Sequence, residues 1–221
     1  MLDSGMKGKK ALITGGGVGI GLSLAEALAD EGADVAIANR NIYPEAEEEL
    51  RKRGVKVVGI KADVSKEEDV NRMVKEAIDG LGGLDCYINN VAAHWDQPML
   101  KVTSEAWYNT VATNLSSCVF ACREVCKHFT KQDSGSVLII ASTATYTLFP
   151  GEFAYRCTKT ALVPYMESLA AEMAPFGVRV NMITPGHFIT RMTGGLDPES
   201  DLYKKVMDAI PMHHPGDAYK D

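Results

Sequence analysis

Six short apolar segments alternate with helix-like segments along the 221 residues, and this alternation is the feature that most constrains the fold. Each apolar segment has the length and continuous hydrophobicity of a strand that is buried on both faces. The predicted strands cover residues 10–14, 34–39, 55–60, 84–89, 136–141 and 178–183. This order predicts a single α/β domain over residues 1–221, built on a doubly wound parallel sheet whose ligands lie beyond the carboxyl ends of the strands.

The segments between the strands carry apolar residues at helical intervals. The predicted helices cover residues 45–53, 66–81, 104–132 and 153–176, and a further helix follows the first strand. Beyond residue 186 the chain is rich in Gly, Pro, His and Met, which predicts a substrate flap over residues 187–210 with one short helix, 198–210.

A glycine cluster joins the first strand to the helix that follows it. Gly15, Gly17, Gly19 and Gly21 occupy this turn, and the spacing departs from G-x-G-x-x-G because Ile20 stands where the third glycine would be. Glycines let the backbone approach a pyrophosphate, and the helix N-terminus attracts its charge. A tight turn alone would explain the glycines, but the strand–turn–helix setting favours dinucleotide binding.

The end of the second strand predicts which dinucleotide binds. An acidic residue at this point would bind the ribose 2'-hydroxyl and favour NAD, but the chain has Asn39 followed by Arg40. Arginine can pair with a 2'-phosphate through its fork of donors. The sequence therefore predicts NADP over NAD, the alternative being that Arg40 is an ordinary surface residue.

Tyr155 and Lys159 are four residues apart on a predicted helix, so their side chains lie on one face. A lysine ammonium beside a phenol favours the phenolate, which makes Tyr155 a candidate general acid/base. Ser142 ends the fifth predicted strand and can share a substrate oxygen with Tyr155. Such a Tyr/Lys pair also occurs by chance on many surface helices, so the rest of the chain has to support the interpretation.

Two polar residues have open roles at this point. Asn114 lies inside a predicted helix although asparagine is a poor helix former, so it is either an exposed neutral residue or the site of a bound water or a kink. Asp63 follows the third strand and either caps the next helix with Ser65 or contacts a ligand.

Charge and composition exclude several classes of function. The formal net charge is -6 with mixed signs and no basic stripe, which argues against a nucleic-acid partner. The sequence has no apolar run long enough for a membrane span, and its first ten residues lack a signal-peptide core. Five cysteines without secretory features predict free thiols and a cytoplasmic location. Three of them, Cys118, Cys122 and Cys126, share a helix face, where small apolar fillers are favoured over a metal site because no Cys-x-x-Cys or His pair accompanies them.

These residues together resemble the short-chain dehydrogenase/reductase superfamily. The motifs that carry the resemblance are Thr14-Gly15-x3-Gly19-x-Gly21, Asp63, Asn89-Asn90, Asn114, Ser142, Tyr155-x3-Lys159 and Pro185-Gly186-x3-Thr190. The resemblance covers nearly the whole chain and implies a Rossmann-type fold. It implies the catalytic residues Asn114, Ser142, Tyr155 and Lys159, with Asn114 holding a water that links Lys159 to solvent. It implies the cofactor-binding residues Gly15, Gly17, Gly19, Ile20, Gly21, Asn39, Arg40, Asp63, Val64, Asn89, Tyr155, Lys159, Pro185, Gly186 and Thr190, and no metal.

The chain departs from the family pattern in two places. Ala92 stands where the family usually has glycine, and its Cβ could crowd the cofactor or alter the turn. Relatives usually continue with a further helix and a final sheet strand, so the usual C-terminal strand is expected to be absent from residues 1–221. If the chain ends at Asp221, one sheet edge is exposed and part of the usual subunit interface is missing.

We expect an NADP(H)-dependent oxidoreductase that acts on a small secondary alcohol or ketone, as a homodimer or homotetramer. The alternative is a dinucleotide-binding regulator without turnover. The run 185–193 is similar to that of 3-oxoacyl-carrier-protein reductases and of sugar and polyol dehydrogenases, and Arg123 and Lys127 are candidates for docking a carrier protein. Candidate pocket residues are His94, Trp95, Tyr146, Phe149, His187 and Phe188.

Overall fold

The computed structural model describes residues 4–95, 97–147, 151–190 and 199–218. Phe149 and residues 191–198 of the predicted flap therefore lie outside the described residues. The strands are β1 (Lys10–Thr14), β2 (Asp34–Asn39), β3 (Val57–Lys61), β4 (Cys86–Asn89), β5 (Gly135–Ile140) and β6 (Val178–Ile183). The α-helices are α1 (Gly19–Asp30), α2 (Pro44–Arg51), α3 (Glu67–Leu81), α4 (Ser104–Val111), α5 (Ser117–Gln132), α6 (Phe153–Met173) and α7 (Asp201–Ala209).

The strands form one sheet in the order β3-β2-β1-β4-β5-β6, and all pairs are parallel. This confirms the predicted doubly wound α/β domain. The order reverses between β1 and β4, which leaves a crevice beyond their carboxyl ends. Within the described residues, β6 is the last strand at its edge of the sheet.

The sheet is buried on both faces because its side chains alternate between two hydrophobic clusters. Leu12 and Tyr87 belong to the cluster that includes residues of α3 and α5, whereas Ile13 and Ile88 belong to the cluster that includes residues of α1 and α2. Cys118, Cys122 and Cys126 are buried in the first cluster, as expected for apolar fillers. The described residues contain no group of three or more His, Cys, Asp or Glu that could hold a metal ion.

Several predicted boundaries shift by one to three residues; the fourth strand begins at Cys86 rather than at residue 84, and the α-helix predicted over 153–176 ends at Met173. Two further differences involve identified hydrogen bonds or helix types. The third strand begins at Val57 rather than at residue 55, because the N–H of Lys56 donates to the side chain of Asp34 instead of entering the ladder. The prediction of one uninterrupted helix over 104–132 is wrong at its centre, where a π-helical turn, Ala112–Ser116, separates α4 from α5. None of the helices in the described part of the chain is long and apolar enough to cross a membrane.

Candidate active site

The ends of β1 and β4 are tied together at the point where the strand order reverses. Thr14 Oγ1 accepts hydrogen bonds from the main-chain N–H groups of Asn90 (3.0 Å) and Val91 (3.2 Å). In return, the side-chain amide of Asn90 donates to the Thr14 carbonyl at 2.9 Å. These hydrogen bonds therefore hold the ends of the two strands in fixed positions at the point where the glycine turn begins.

The glycine turn excludes side chains at several of its positions, of which Gly15 and Gly21 show the two reasons. Gly15 has a φ of +71°, which favours glycine. A Cβ on Gly21 would lie 2.2 Å from the Gly15 carbonyl oxygen and 2.6 Å from the amide nitrogen of Asn90. The turn thus brings the start of α1 directly onto the end of β1.

The N-terminus of α1 suits an anionic ligand. Its N-cap residue, Val18, makes no side-chain capping bond, and the first turn, which contains Ile20, has no acidic residue. The exposed amides and the helix dipole are therefore left to attract negative charge, which fits the pyrophosphate of a dinucleotide.

The start of the predicted flap lies against this turn. A Cβ on Gly19 would be 3.6 Å from the Cβ of Thr190, so these two expected cofactor-binding residues are neighbours. The Pro185 carbonyl accepts from the N–H of Thr143 at 3.0 Å, and a Cβ on Gly186 would meet nothing within 4 Å.

The end of β2 also reaches the glycine turn. The N–H of Gly17 donates to Asn39 Oδ1 at 3.0 Å, and a Cβ on Gly17 would lie 2.5 Å from the ring of Tyr43. Arg40 follows on the surface with its side chain exposed. Asn39 therefore supports the turn, while Arg40 is accessible to a charged ligand.

Asp63 forms a local turn with Ser65. Asp63 Oδ1 accepts from the N–H (3.1 Å) and the hydroxyl (2.7 Å) of Ser65, just ahead of α3. The N-cap residue of α3 is Lys66, which makes no side-chain capping bond, so the contact is a local turn ahead of the helix and the capping alternative is wrong. The neighbouring Val64 is buried in the core, so its side chain does not face a ligand.

Asn89 is buried at the carboxyl end of β4. Its Oδ1 accepts from the hydroxyl of Tyr87 at 3.0 Å. Its amide nitrogen is buried and has no hydrogen-bond partner among the described residues. A buried donor of this kind calls for an acceptor from outside the protein, such as an ordered water or a ligand oxygen.

Lys159 is almost fully buried beneath the site, with 1 % of its surface exposed. Its Nζ donates to the Ile140 carbonyl at 2.7 Å and lies 5.8 Å from the centre of the Tyr155 ring. Burial lowers the pKa of Lys159 from 10.5 to about 8, and the nearby Cys118 opposes this slightly. A charged amine in an apolar setting is costly, so its place next to the phenol indicates a functional role.

Tyr155 lies in the first turn of α6 and meets His94 edge-on. The ring centres are 4.6 Å apart and the planes are inclined at 80°. Ser142 lies two residues beyond the end of β5, and its Oγ accepts from the N–H of Ala144 at 3.1 Å and caps a short 3-10 turn, Thr143–Thr145. This turn packs against α6.

Asn114 lies at the centre of the π turn and is fully buried. Its Oδ1 accepts from the N–H of Ala93 (2.7 Å), and its Nδ2 donates to the Ala93 carbonyl (2.9 Å) and to Thr158 Oγ1 (3.2 Å). The alternative of an exposed, neutral asparagine is therefore wrong, and the side chain clamps the loop after β4 to α6. A π turn also alters the regular pairing of main-chain carbonyls, which suits a site that orders water.

The candidate pocket residues differ in their contacts and in their exposure to solvent. His94 contacts Tyr155, whereas Trp95 and Tyr146 are exposed by 40 % and 72 %. The His187 carbonyl accepts from the N–H of Gly216 at 2.9 Å, and a Cβ on Gly216 would lie 2.5 Å from the Phe188 ring. The segment after α7 therefore packs on the start of the flap.

The two basic residues suggested for docking a carrier protein are already paired. Arg123 bonds to Glu67 and Glu124, and Lys127 bonds to the same Glu124. The structure thus offers no unneutralised basic patch at this pair.

The sequence analysis assigned no role to three residues that build the site, although Thr14 and Asn90 belong to the motifs named there. Thr14 and Asn90 join the strand ends, and Tyr43 covers the glycine turn. The positions of Thr14 and Asn90 at strand ends were a signal for this role. Tyr43 gave none, because its contact depends on how α2 packs.

Comparison with known proteins agrees with this geometry. A family model described as short chain dehydrogenase matches residues 9–201. The 3-oxoacyl-(acyl-carrier-protein) reductase FabG of Staphylococcus epidermidis is 31% identical over 212 residues, which span 95% of this chain and 86% of that protein.

Two solved structures show the same fold with different cofactors in their names. The NADPH-dependent 3-quinuclidinone reductase from Rhodotorula rubra has a TM-score of 0.89 and 34% identity, over 97% of this chain and 82% of that one. An NAD+-bound xylitol dehydrogenase has a TM-score of 0.87 and 26% identity, over 97% of this chain and 89% of that one. The glycine turn, the buried lysine beside a tyrosine and these similarities together show that the chain belongs to the short-chain dehydrogenase/reductase family of NAD(P)-dependent oxidoreductases.

Proposed function

We propose that the protein is an NADP(H)-dependent oxidoreductase that interconverts a small secondary alcohol and its ketone, with Tyr155 as the acid/base. The observation that carries this proposal is the buried ammonium of Lys159 beside the Tyr155 ring. A positive charge held near a phenol in a low-dielectric site lowers the cost of forming the phenolate. A protein that only binds a dinucleotide has no need of a phenol tuned by an ammonium, which argues against a regulator without turnover.

The residues of the crevice fit a dinucleotide. The glycine turn and the N-terminus of α1 would hold the pyrophosphate, Thr190 would close on it from the flap over 187–210, and Asp63 and Asn89 would lie at the adenosine end. When bound, the nicotinamide supplies or accepts the hydride.

The side chains of this protein handle the proton and the orientation. Tyr155 gives its hydroxyl proton to the ketone oxygen, or takes the proton from the alcohol. Ser142 shares the same oxygen and orients it. Lys159 stabilises the phenolate that results, and the π turn at Asn114 leads the proton toward solvent through ordered water.

One assay tests this function. The protein is mixed with NADPH and a panel of ketones, and the absorbance of the reduced cofactor is followed. We expect turnover by the wild type. Tyr155→Phe should lower kcat by at least about a hundredfold, the usual worth of a positioned acid/base, with little change in the Kd of NADPH. A Tyr155→Phe variant that keeps full activity would show that the acid/base assignment is wrong.

The preference for NADP rests on Arg40, which is exposed immediately after the end of β2. A fork of guanidinium donors pairs with a 2'-phosphate, so Arg40→Ala should raise the KM for NADPH by about tenfold and leave that for NADH nearly unchanged. Arg51→Ala, which removes an exposed arginine paired with Glu47 on α2, is the matched control. A wild type that prefers NADH would refute this part of the proposal.

The remaining features of the proposal concern assembly and location. We propose a homodimer or homotetramer, in which α5 and α6 supply the contacts, and light scattering of the purified protein would measure it. The described cysteines are free thiols, which supports a cytoplasmic location.

A further inference from the structure

His94 is held against the acid/base tyrosine by a contact of defined geometry. The two ring centres are 4.6 Å apart and the planes are inclined at 80°, which is the edge-to-face arrangement that aromatic pairs prefer. The side chain of His94 is 30% exposed, so this contact lies at the open side of the site rather than in the core.

The loop that carries His94 is fixed to the helix that carries Tyr155. Asn114 holds both main-chain groups of Ala93, the residue before His94, and also donates to Thr158 Oγ1. The hydroxyl of Thr158 in turn donates to the carbonyl of Tyr155 at 2.7 Å. The placement of His94 on the phenol is therefore built into the fold through these hydrogen bonds.

A carboxylate at the start of α6 also lies near the imidazole. Glu152 occupies the N-cap position of α6, but its side chain makes no capping bond. Instead, its Oε1 lies 3.8 Å from Nε2 of His94. The imidazole thus contacts the ring of Tyr155 and has the carboxylate of Glu152 nearby.

The direction of the phenol matters for the proposed acid/base role. Tyr155 is the third residue of α6, so its ring lies at the end of the helix that meets the loop carrying His94. Proton transfer depends steeply on geometry, and a displacement of about 1 Å can cost about a hundredfold in rate.

We propose that His94 is a positioning residue for Tyr155, whose imidazole sets the direction of the phenol toward the substrate oxygen. This inference rests on the proposed function. It requires the ring of His94 rather than its ability to carry a proton, so an aromatic replacement should preserve the effect.

The test compares His94→Ala with His94→Phe in the NADPH-dependent assay. We expect His94→Ala to lower kcat by about fivefold, which corresponds to the interaction free energy of an edge-to-face aromatic pair. The KM for NADPH should stay unchanged. His94→Phe should restore kcat to within about twofold of the wild type, because the phenyl ring keeps the contact. The control is Trp107→Leu, which removes the stacked contact of Trp107 with Phe153 in the same turn of α6 without touching Tyr155.

Each outcome separates this inference from its alternatives. A His94→Ala variant with the kcat of the wild type would overturn it. Equal losses in His94→Ala and His94→Phe would overturn it in favour of proton chemistry by the imidazole. An equal loss in Trp107→Leu would overturn it in favour of a general loosening of α6. A wild type that reduces no ketone of the panel would refute the proposed function and this inference together, whereas the preceding outcomes leave the function intact.

Discussion

Replacing the buried Lys159 by methionine should change how the stability of the protein depends on pH. Burial lowers the pKa of this lysine from 10.5 to about 8 in the folded protein. Below pH 8 the amine is charged in both the folded and the unfolded state, and the folded state bears the cost of a buried charge. Between pH 8 and 10.5 the folded amine is neutral while the unfolded amine is still protonated, so the free energy of unfolding rises with pH.

The size of this effect follows from the two pKa values. Each pH unit between pH 8 and pH 10.5 adds about 1.36 kcal/mol to the free energy of unfolding, so the rise across this whole range is about 3 kcal/mol. Within the range where most proteins can be studied, from about pH 7 to about pH 9.5, the expected rise is about 2 kcal/mol. Methionine has a similar length and no charge, so the variant lacks this rise.

The measurement is urea unfolding at several pH values, with Tyr155→Phe in both proteins so that the phenol does not titrate. The difference in the free energy of unfolding between Tyr155→Phe and the double variant with Lys159→Met isolates the lysine, because the other groups cancel. At about pH 7 the methionine also leaves the Ile140 carbonyl without its donor, which costs roughly 1–3 kcal/mol and offsets the relief of the buried charge. A difference that does not change with pH would show that the amine keeps its ordinary pKa, and the reasoning from burial would be refuted.

Three further predictions concern the glycine turn, the π turn and the cofactor. Gly21→Ala places a Cβ 2.2 Å from a main-chain carbonyl oxygen and should lower both the melting temperature and the affinity for NADPH. In the control Gly186→Ala, the added Cβ meets nothing within 4 Å, so a thermal scan should show an unchanged melting temperature. Asn114→Ala removes three hydrogen bonds of a buried side chain and should lower the free energy of unfolding in urea by roughly 2–4 kcal/mol. The control Asn71→Ala, on an exposed helix face, should lower it by less than about 0.5 kcal/mol. Equal losses would contradict the role of Asn114 in joining the loop after β4 to α6. Asn39→Asp keeps an acceptor for the glycine turn but places a carboxylate where a 2'-phosphate would lie, so the ratio of kcat/KM for NADPH over NADH should fall by at least about tenfold, and an unchanged ratio would show that this strand end does not face the ribose.

The predictions that depend on local pattern are the ones that the structure confirms. The strands β1, β2 and β6 begin and end where the apolar runs do, and α3 ends at the left-handed Gly82. Strand boundaries and helix ends of this kind depend on side-chain periodicity and on glycine. Both can be recognised from residues that are neighbours in the sequence. The π turn was not predictable in this way, because it arises from the hydrogen bonds of Asn114 to a loop and a helix distant in the chain.

The sequence by itself determined the doubly wound sheet, the glycine turn and the face shared by Tyr155 and Lys159, since each of these follows from the spacing of residues along a single strand or helix. The tertiary structure decided that Lys159 is buried, that Gly21 contacts the end of β1 and that His94 meets the phenol. These three features carry the proposed chemistry, and each is a contact between segments separated in the chain, where burial and distance exist only once the strands and helices have packed together.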